Sequence, residues 1–106
     1  MQISSTKSSA EGKVVLQLTG RFDFSSRHVF KEAYSPLLQP SPEKTIEINM
    51  AGVEYLDSSS LGMLMLLSEK ASEVGKTVTL THPNTTVSQI LDIANIGKVP
   101  NIKIIK

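Results

Sequence analysis

Asp57-Ser58-Ser59-Ser60-Leu61-Gly62 places three consecutive hydroxyls where a β-strand gives way to an apolar helix. Upstream, Thr45-Ile46-Glu47-Ile48-Asn49-Met50 alternates apolar and polar residues, the period of a strand with one buried face. Downstream, Leu61, Leu64, Leu67, Ala71 and Val74 recur at helical spacing, so the serines fall at a helix N-terminus. Unpaired backbone N–H groups and aligned peptide dipoles favour a negative charge there by about 0.3 to 1 kcal/mol. A phosphate ester on one of these serines is the covalent chemistry that suits the place. Ordinary capping also uses Asp and Ser at a helix start, but three serines exceed what one cap needs. Met63, Leu64, Met65, Leu66 and Leu67 cannot all face one sheet. A helix apolar all round is either deeply buried or partly reserved for a partner, and methionine adapts readily to binding surfaces.

The elements that must hold this segment read as alternating strands and helices. Val14-Val15-Leu16-Gln17-Leu18-Thr19 is a β-branched strand ending at Gly20, and a strand around Gln2 to Ser5 pairs with it as an antiparallel hairpin through Glu11-Gly12. Ser25 or Ser26 is positioned to cap a helix carrying Phe30, Ala33, Tyr34 and Leu37 on one stripe, with Pro36 ending or kinking it. The strand from Thr45 then leads through Gly52 and Tyr55 to the serines. The helix after them should stop near Val74, with Gly75 as its left-handed C-terminal residue. Lys76 to Thr81 alternates as a strand. Thr85 or Thr86 is expected to cap a helix with Val87, Ile90, Leu91 and Ala94 on one face, stopped by Gly97, and Ile102 to Ile105 makes a last strand. Strands separated by helices imply right-handed crossovers. The expected fold is α/β, a mixed but mainly parallel sheet with an N-terminal antiparallel hairpin and three helices.

Composition narrows the functions available. With 106 residues, 40% of them hydrophobic, the chain is expected to form one domain over residues 1–106. A net charge of +1, with basic residues interspersed among acids, gives no footprint for nucleic acid. Absence of cysteine excludes disulfides, thiol nucleophiles and thiolate metal sites. The start Met1-Gln2-Ile3-Ser4-Ser5 lacks a basic and apolar leader, and no stretch approaches the roughly 18 apolar residues that span a bilayer. A cytoplasmic protein without membrane insertion is the reading. No GxGxxG loop, P-loop, GxSxG elbow or HExxH helix occurs, and His28 and His82 lie far apart. No enzyme, metal site or cofactor is expected. A hydrolase built on Ser58 or Ser59 with Asp23 or Asp57 lacks the required elbow, and a nucleotide site at the serines lacks a glycine-rich cradle.

Asp57 to Gly62, preceded by Gly52-Val53-Glu54-Tyr55-Leu56, resembles the signature of bacterial STAS domains of the anti-sigma factor antagonist type. Leu18-Thr19-Gly20-Arg21-Phe22-Asp23 is similar to that family's strand-end motif, and Ile90 to Ile96 to its third-helix segment. The resemblance implies Ser58 as phosphoacceptor, with Ser59 and Ser60 as secondary candidates. It also implies an ATP-dependent serine kinase of the anti-sigma, HATPase type as partner and a PP2C-type phosphatase that reverses the modification. The implied partner surface comprises Asp23, Phe24, Asp57, Ser59, Ser60 and Met63. For Asp23, capping of the helix beginning near Ser25 is an equal reading. Two departures stand out. Ser60 falls where the family often has glycine, so that a closely approaching partner backbone would meet a side chain. Lys106 follows directly on the last strand, so the C-terminal helix common in the family is expected to be absent or truncated, leaving a sheet face for a second copy or a partner. The alternative function is a STAS subunit, without a switch, of a lipid ABC-type membrane transport complex.

Overall fold

A computed structural model describes the backbone of residues 1–106 and every side chain but that of Ser9. The chain is a single α/β domain. Strands β1 (Gln2–Ser8), β2 (Lys13–Phe22), β3 (Thr45–Leu56), β4 (Thr77–Thr81) and β5 (Ile102–Ile105) form one sheet in the order β1-β2-β3-β4-β5. β1 and β2 are antiparallel, joined by a tight turn that Gly12 completes at φ 66°. All later pairings are parallel. Helices α1 (Arg27–Tyr34), α2 (Ser58–Glu73) and α3 (Thr85–Ile93) form the three crossovers.

Register follows from hydrophobic alternation, because a slip of one residue would turn every apolar side chain to the other face. Leu16 pairs with Ile48 and Ile48 with Leu80, while Val78 pairs with Ile102. These residues and their period-2 neighbours form the core with Phe30 and Tyr34 of α1, Leu64, Leu67 and Ala71 of α2, and Val87 and Leu91 of α3. Each parallel crossover steps in the same direction along the sheet, so right-handed connections put all three helices on this one face. The opposite face is polar. Thr6, Val15, Glu47, Thr79 and Lys103 lie in one row across it, and Glu47 accepts hydrogen bonds from Lys13 at 2.8 Å and Thr81 at 2.9 Å. Donation from Lys13 and Thr81 together outweighs the desolvation that opposes ionisation, so the Glu47 carboxyl is held below its usual range.

The three helix starts show where local signals were redirected. Asp23, not Ser25 or Ser26, caps the turn into α1: its carboxylate accepts from the Ser25 N–H at 3.1 Å. Ser26 is buried and its hydroxyl donates to the Arg21 carbonyl instead, while no side-chain cap bond comes from it to α1. Asn84, not Thr85 or Thr86, caps α3 by accepting from Val87 at 2.8 Å, and its amide donates to the Val53 carbonyl at 3.0 Å. α3 also stops earlier than Gly97. Asn95 takes the left-handed conformation at φ 58°, a geometry its short polar side chain tolerates, and Ala94 is exposed. Pro36 lies in a 3-10 turn that ends α1, and Gly75 at φ 73° terminates α2, both as expected. Lys76 begins no strand. It is buried, and its ammonium donates to the Leu37 and Gln39 carbonyls and to Ser41, pinning the proline-rich connector against the sheet.

Candidate functional site

β2 and β3 run parallel with Phe22 beside Leu56, so their exits deliver Asp23 and Asp57 side by side at one end of the sheet. Two register shifts lie just before these exits, between Gln17 and Thr19 and between Gly20 and Arg21. They coincide with a close backbone crossing at Gly52, where an added Cβ would lie 2.9 Å from the Leu18 carbonyl oxygen. Glycine there lets the two strands approach closely enough to bring both loops together.

Asp57 is the hinge of the site. One carboxylate oxygen accepts from the Ser60 N–H at 2.8 Å, and the other accepts from the Phe24 N–H at 3.1 Å. A single side chain thus caps α2 and ties down the turn after β2. Ser60 completes a reciprocal capping box: its hydroxyl accepts from the Asp57 N–H at 3.0 Å and donates to the Asp57 carbonyl at 2.7 Å. It is fully buried, at 0% exposure. Its side chain is turned away from the surface on which the resemblance placed it as a partner contact and secondary phosphoacceptor. As the third residue of the helix it turns inward, so a partner backbone meets no side chain there. The departure from glycine is accommodated inside the domain.

Asp57 and Ser60 together satisfy the cap, which leaves the other two serines unengaged. Ser58 is exposed and Ser59 half-buried, and among the described residues neither hydroxyl makes a hydrogen bond. Their backbone N–H groups lie in the first turn, where no intrahelical acceptor exists.

Around them the surface carries aromatic and cationic side chains. Phe24 is 57% exposed, and the Arg27 guanidinium stacks 4.0 Å above its ring while donating to the Phe24 carbonyl at 3.0 Å. Arg21 stacks 4.8 Å over the Tyr55 ring and lies 3.9 Å from the Asp23 carboxylate. Hydrogen bonding from Ser25, opposed by partial desolvation and helped by Arg21, keeps the Asp23 carboxyl below its usual range. Met63 is half-buried beside the core, whereas Met65 and Leu66 are exposed at 44% and 45%. The apolar start of α2 therefore divides into core residues Leu64 and Leu67 and a surface group.

The structure brings Asp23 and Phe24 together with Asp57, Ser58 and Ser59, two segments more than thirty residues apart in sequence. Arg21, Arg27, Tyr55 and Leu66 are the surface neighbours that sequence reasoning missed. Arg27 stands three residues after Phe24 across a turn, a spacing that could have signalled the pair. His28 and His82 lie on α1 and after β4, and among the described residues no three His, Cys, Asp or Glu side chains gather as a metal group.

A sheet with this order, bearing a serine-rich helix start at the exit of its long central strand, defines a class that comparison with known proteins identifies. The chain belongs to the STAS family: the family model described as "Mlab, STAS domain" matches residues 5–105. A STAS-domain containing protein of Pseudomonas aeruginosa (strain UCBPP-PA14) is 33% identical over 95 residues, covering 90% of this chain and 92% of the relative. A Thermotoga neapolitana protein, whose name places it with anti-sigma factor antagonists, is 28% identical over 93 residues, covering 87% of this chain and 81% of its own. Among solved structures, the fold matches the anti-sigma factor antagonist SpoIIAA in its unphosphorylated form with a TM-score of 0.78 at 19% identity, covering 99% of this chain and 89% of that one. Among the described residues, no helix is long and apolar enough to cross a membrane.

Proposed function

We propose that this protein is a phosphorylation-switched binding module that holds an anti-sigma factor or related serine kinase while Ser58 is unmodified and releases it when Ser58 is phosphorylated. The observation that carries this reading is the division of labour at the start of α2. Asp57 and Ser60 do all the capping, while the Ser58 hydroxyl is exposed and free to accept a phosphoryl group without loss of a structural bond. The transfer moves the γ-phosphoryl of ATP to the Ser58 oxygen, breaking the β–γ phosphoanhydride bond and releasing ADP, with the hydroxyl proton passing to a base on the kinase. Phosphate brings about −1.5 to −2 charges and three acceptor oxygens to a helix N-terminus that tolerates them. The domain stays folded while a docked partner faces repulsion and a desolvation penalty. A PP2C-type phosphatase would reset the site.

The module acts in the cytoplasm on this reading, where ATP and the kinase are found. Residues 1–106 serve as one functional unit, and Asp23, Phe24, Ser59 and Met63 supply the contact surface around Ser58. A STAS subunit of a lipid transport complex needs no phosphoacceptor, so the unengaged Ser58 hydroxyl favours the switch. Incubation with its cognate serine kinase and ATP, followed by peptide mass spectrometry, tests the assignment. A phosphate on Ser58 supports it. Modification only at another residue, or identical partner affinity for Ser58→Asp and Ser58→Ala, overturns it.

A further inference from the structure

We infer that the groove between α1 and α2 receives an acidic, amphipathic helical segment of the protein partner; this rests on the Ser58 switch and names the chemistry of what that switch releases. The groove encloses about 220 Å³ and is lined by Arg27, His28 and Lys31 of α1 and by Met63 and Leu66 of α2, over the ring of Phe30. It is smaller than the roughly 300 to 1,000 Å³ of small-molecule sites. A few side chains of a docked segment fit it, whereas a cofactor does not.

Its chemistry selects one kind of segment. Arg27 and Lys31 lie one helical turn apart, while Ser59, Met63 and Leu66 follow at i, i+4 and i+7 along α2, so a basic rail faces an apolar rail that begins beside the phosphoacceptor. The ion pairs of the described residues are Lys13 with Glu11 and Glu47, Arg21 with Asp23, and Lys106 with Asp92. None of them engages Arg27, His28 or Lys31, and Glu32 of α1 is not part of the groove. In a chain of net charge +1, this is a local concentration of cations beside exposed apolar surface. Such a surface is complementary to leucine-like side chains flanked by Asp or Glu, and it raises the encounter rate for them. The other groove along α2, lined by Met65, Glu69, Glu73 and Pro100, carries the opposite charge and rejects the same segment.

The direction of the proposed switch requires the same partner chemistry. A phosphate at the start of α2 repels an acidic segment and offers Arg27 and Lys31 a counter-ion within the chain, so both effects weaken docking. A basic segment would be held more tightly after phosphorylation, which reverses the sign.

The test uses the full chain and two synthetic helical peptides with the same leucine stripe, one flanked by glutamates and one by lysines, followed by backbone amide NMR. The expected result is saturable binding of the glutamate peptide with shifts at Arg27, Lys31, Met63 and Leu66, and about tenfold weaker binding of the lysine peptide. Lys31→Glu, at an exposed position without a side-chain bond, should remove the preference, and Leu66→Ser should weaken both peptides. Equal binding of the two peptides, no binding of the glutamate peptide, or shifts confined to the Glu69 and Glu73 groove would overturn the inference. Ser58→Glu separates the two readings. Unchanged kinase affinity in that variant, with the glutamate peptide still preferred by the wild-type groove, refutes the switch while leaving the groove assignment standing, and loss of peptide preference with kinase-dependent release intact refutes the groove alone.

Discussion

Replacing Asp57 should cost more than an ordinary helix cap, and two substitutions separate its two jobs. In Asp57→Ala the Ser60 N–H loses its acceptor, a capping loss of about 1 kcal/mol. The Phe24 N–H, at an exposed position, also loses a charged acceptor, which adds about 1 kcal/mol. The sum is about 2 kcal/mol, and at 4 to 8 °C per kcal/mol for a domain near this size the melting temperature should fall by roughly 8 to 16 °C. Asn caps helices as well as Asp does, because its oxygen can take the Ser60 bond. Its amide nitrogen cannot accept from Phe24, so Asp57→Asn should lose only about 1 kcal/mol. Guanidinium titration monitored by circular dichroism measures both values, with an unchanged slope showing that the denatured state is unaffected. The amide resonance of Phe24 should move in both variants, and that of Ser60 mainly in Asp57→Ala. Equal stability of Asp57→Asn and wild type, with an unmoved Phe24 amide, would refute the idea that one carboxylate joins the two loops.

Other expectations follow from the same geometry. Ser58→Ala should change stability by less than about 0.5 kcal/mol, since it removes no contact, whereas Ser60→Ala should cost about 1 kcal/mol through the broken capping box; paired denaturation curves compare them directly. Gly52→Ala forces a Cβ to 2.9 Å from the Leu18 carbonyl and 3.1 Å from the Thr19 hydroxyl, so it should destabilise by about 1 to 3 kcal/mol and shift the amides of β2 and the Asp23 turn. The Glu47 carboxyl is held below its ordinary value of 4.5, so its contribution is present above that pH and is lost as pH falls through the lower folded value. Glu47→Gln should therefore flatten the acid limb of the stability profile below about pH 4.5, and a profile identical to wild type there would contradict the pairing with Lys13 and Thr81.

Much of the architecture was legible because its signals are local. Alternation in Thr45 to Met50 set the long central strand and the face it buries, and Gly75 marked the end of α2 by the conformation only glycine takes easily. The serines were legible as a helix start for the same reason. Caps were placed less well, because Asp23, Ser25 and Ser26 are all able to cap, as are Asn84, Thr85 and Thr86. The choice among them is made by tertiary contacts such as Asn84 with Val53 and Ser26 with Arg21. Ser60 looked like its neighbours in sequence, and only the phase of the helix shows that it points inward. The second role of Asp57 depends on Phe22 lying beside Leu56, a parallel pairing between residues more than thirty positions apart that no local pattern encodes. The basic groove is invisible for the same reason, since Lys31 and Leu66 meet only after α1 and α2 have packed on one face of the sheet.

The most direct test of the central claim is the affinity of the kinase partner for this protein with Ser58 unmodified and with phosphoserine installed at that position, measured by calorimetry on chains shown by circular dichroism to be equally folded. The account predicts tight binding of the unmodified chain and a loss of at least about tenfold on phosphorylation, a difference of about 1.4 kcal/mol. Equal or tighter binding of the phosphorylated chain would contradict it.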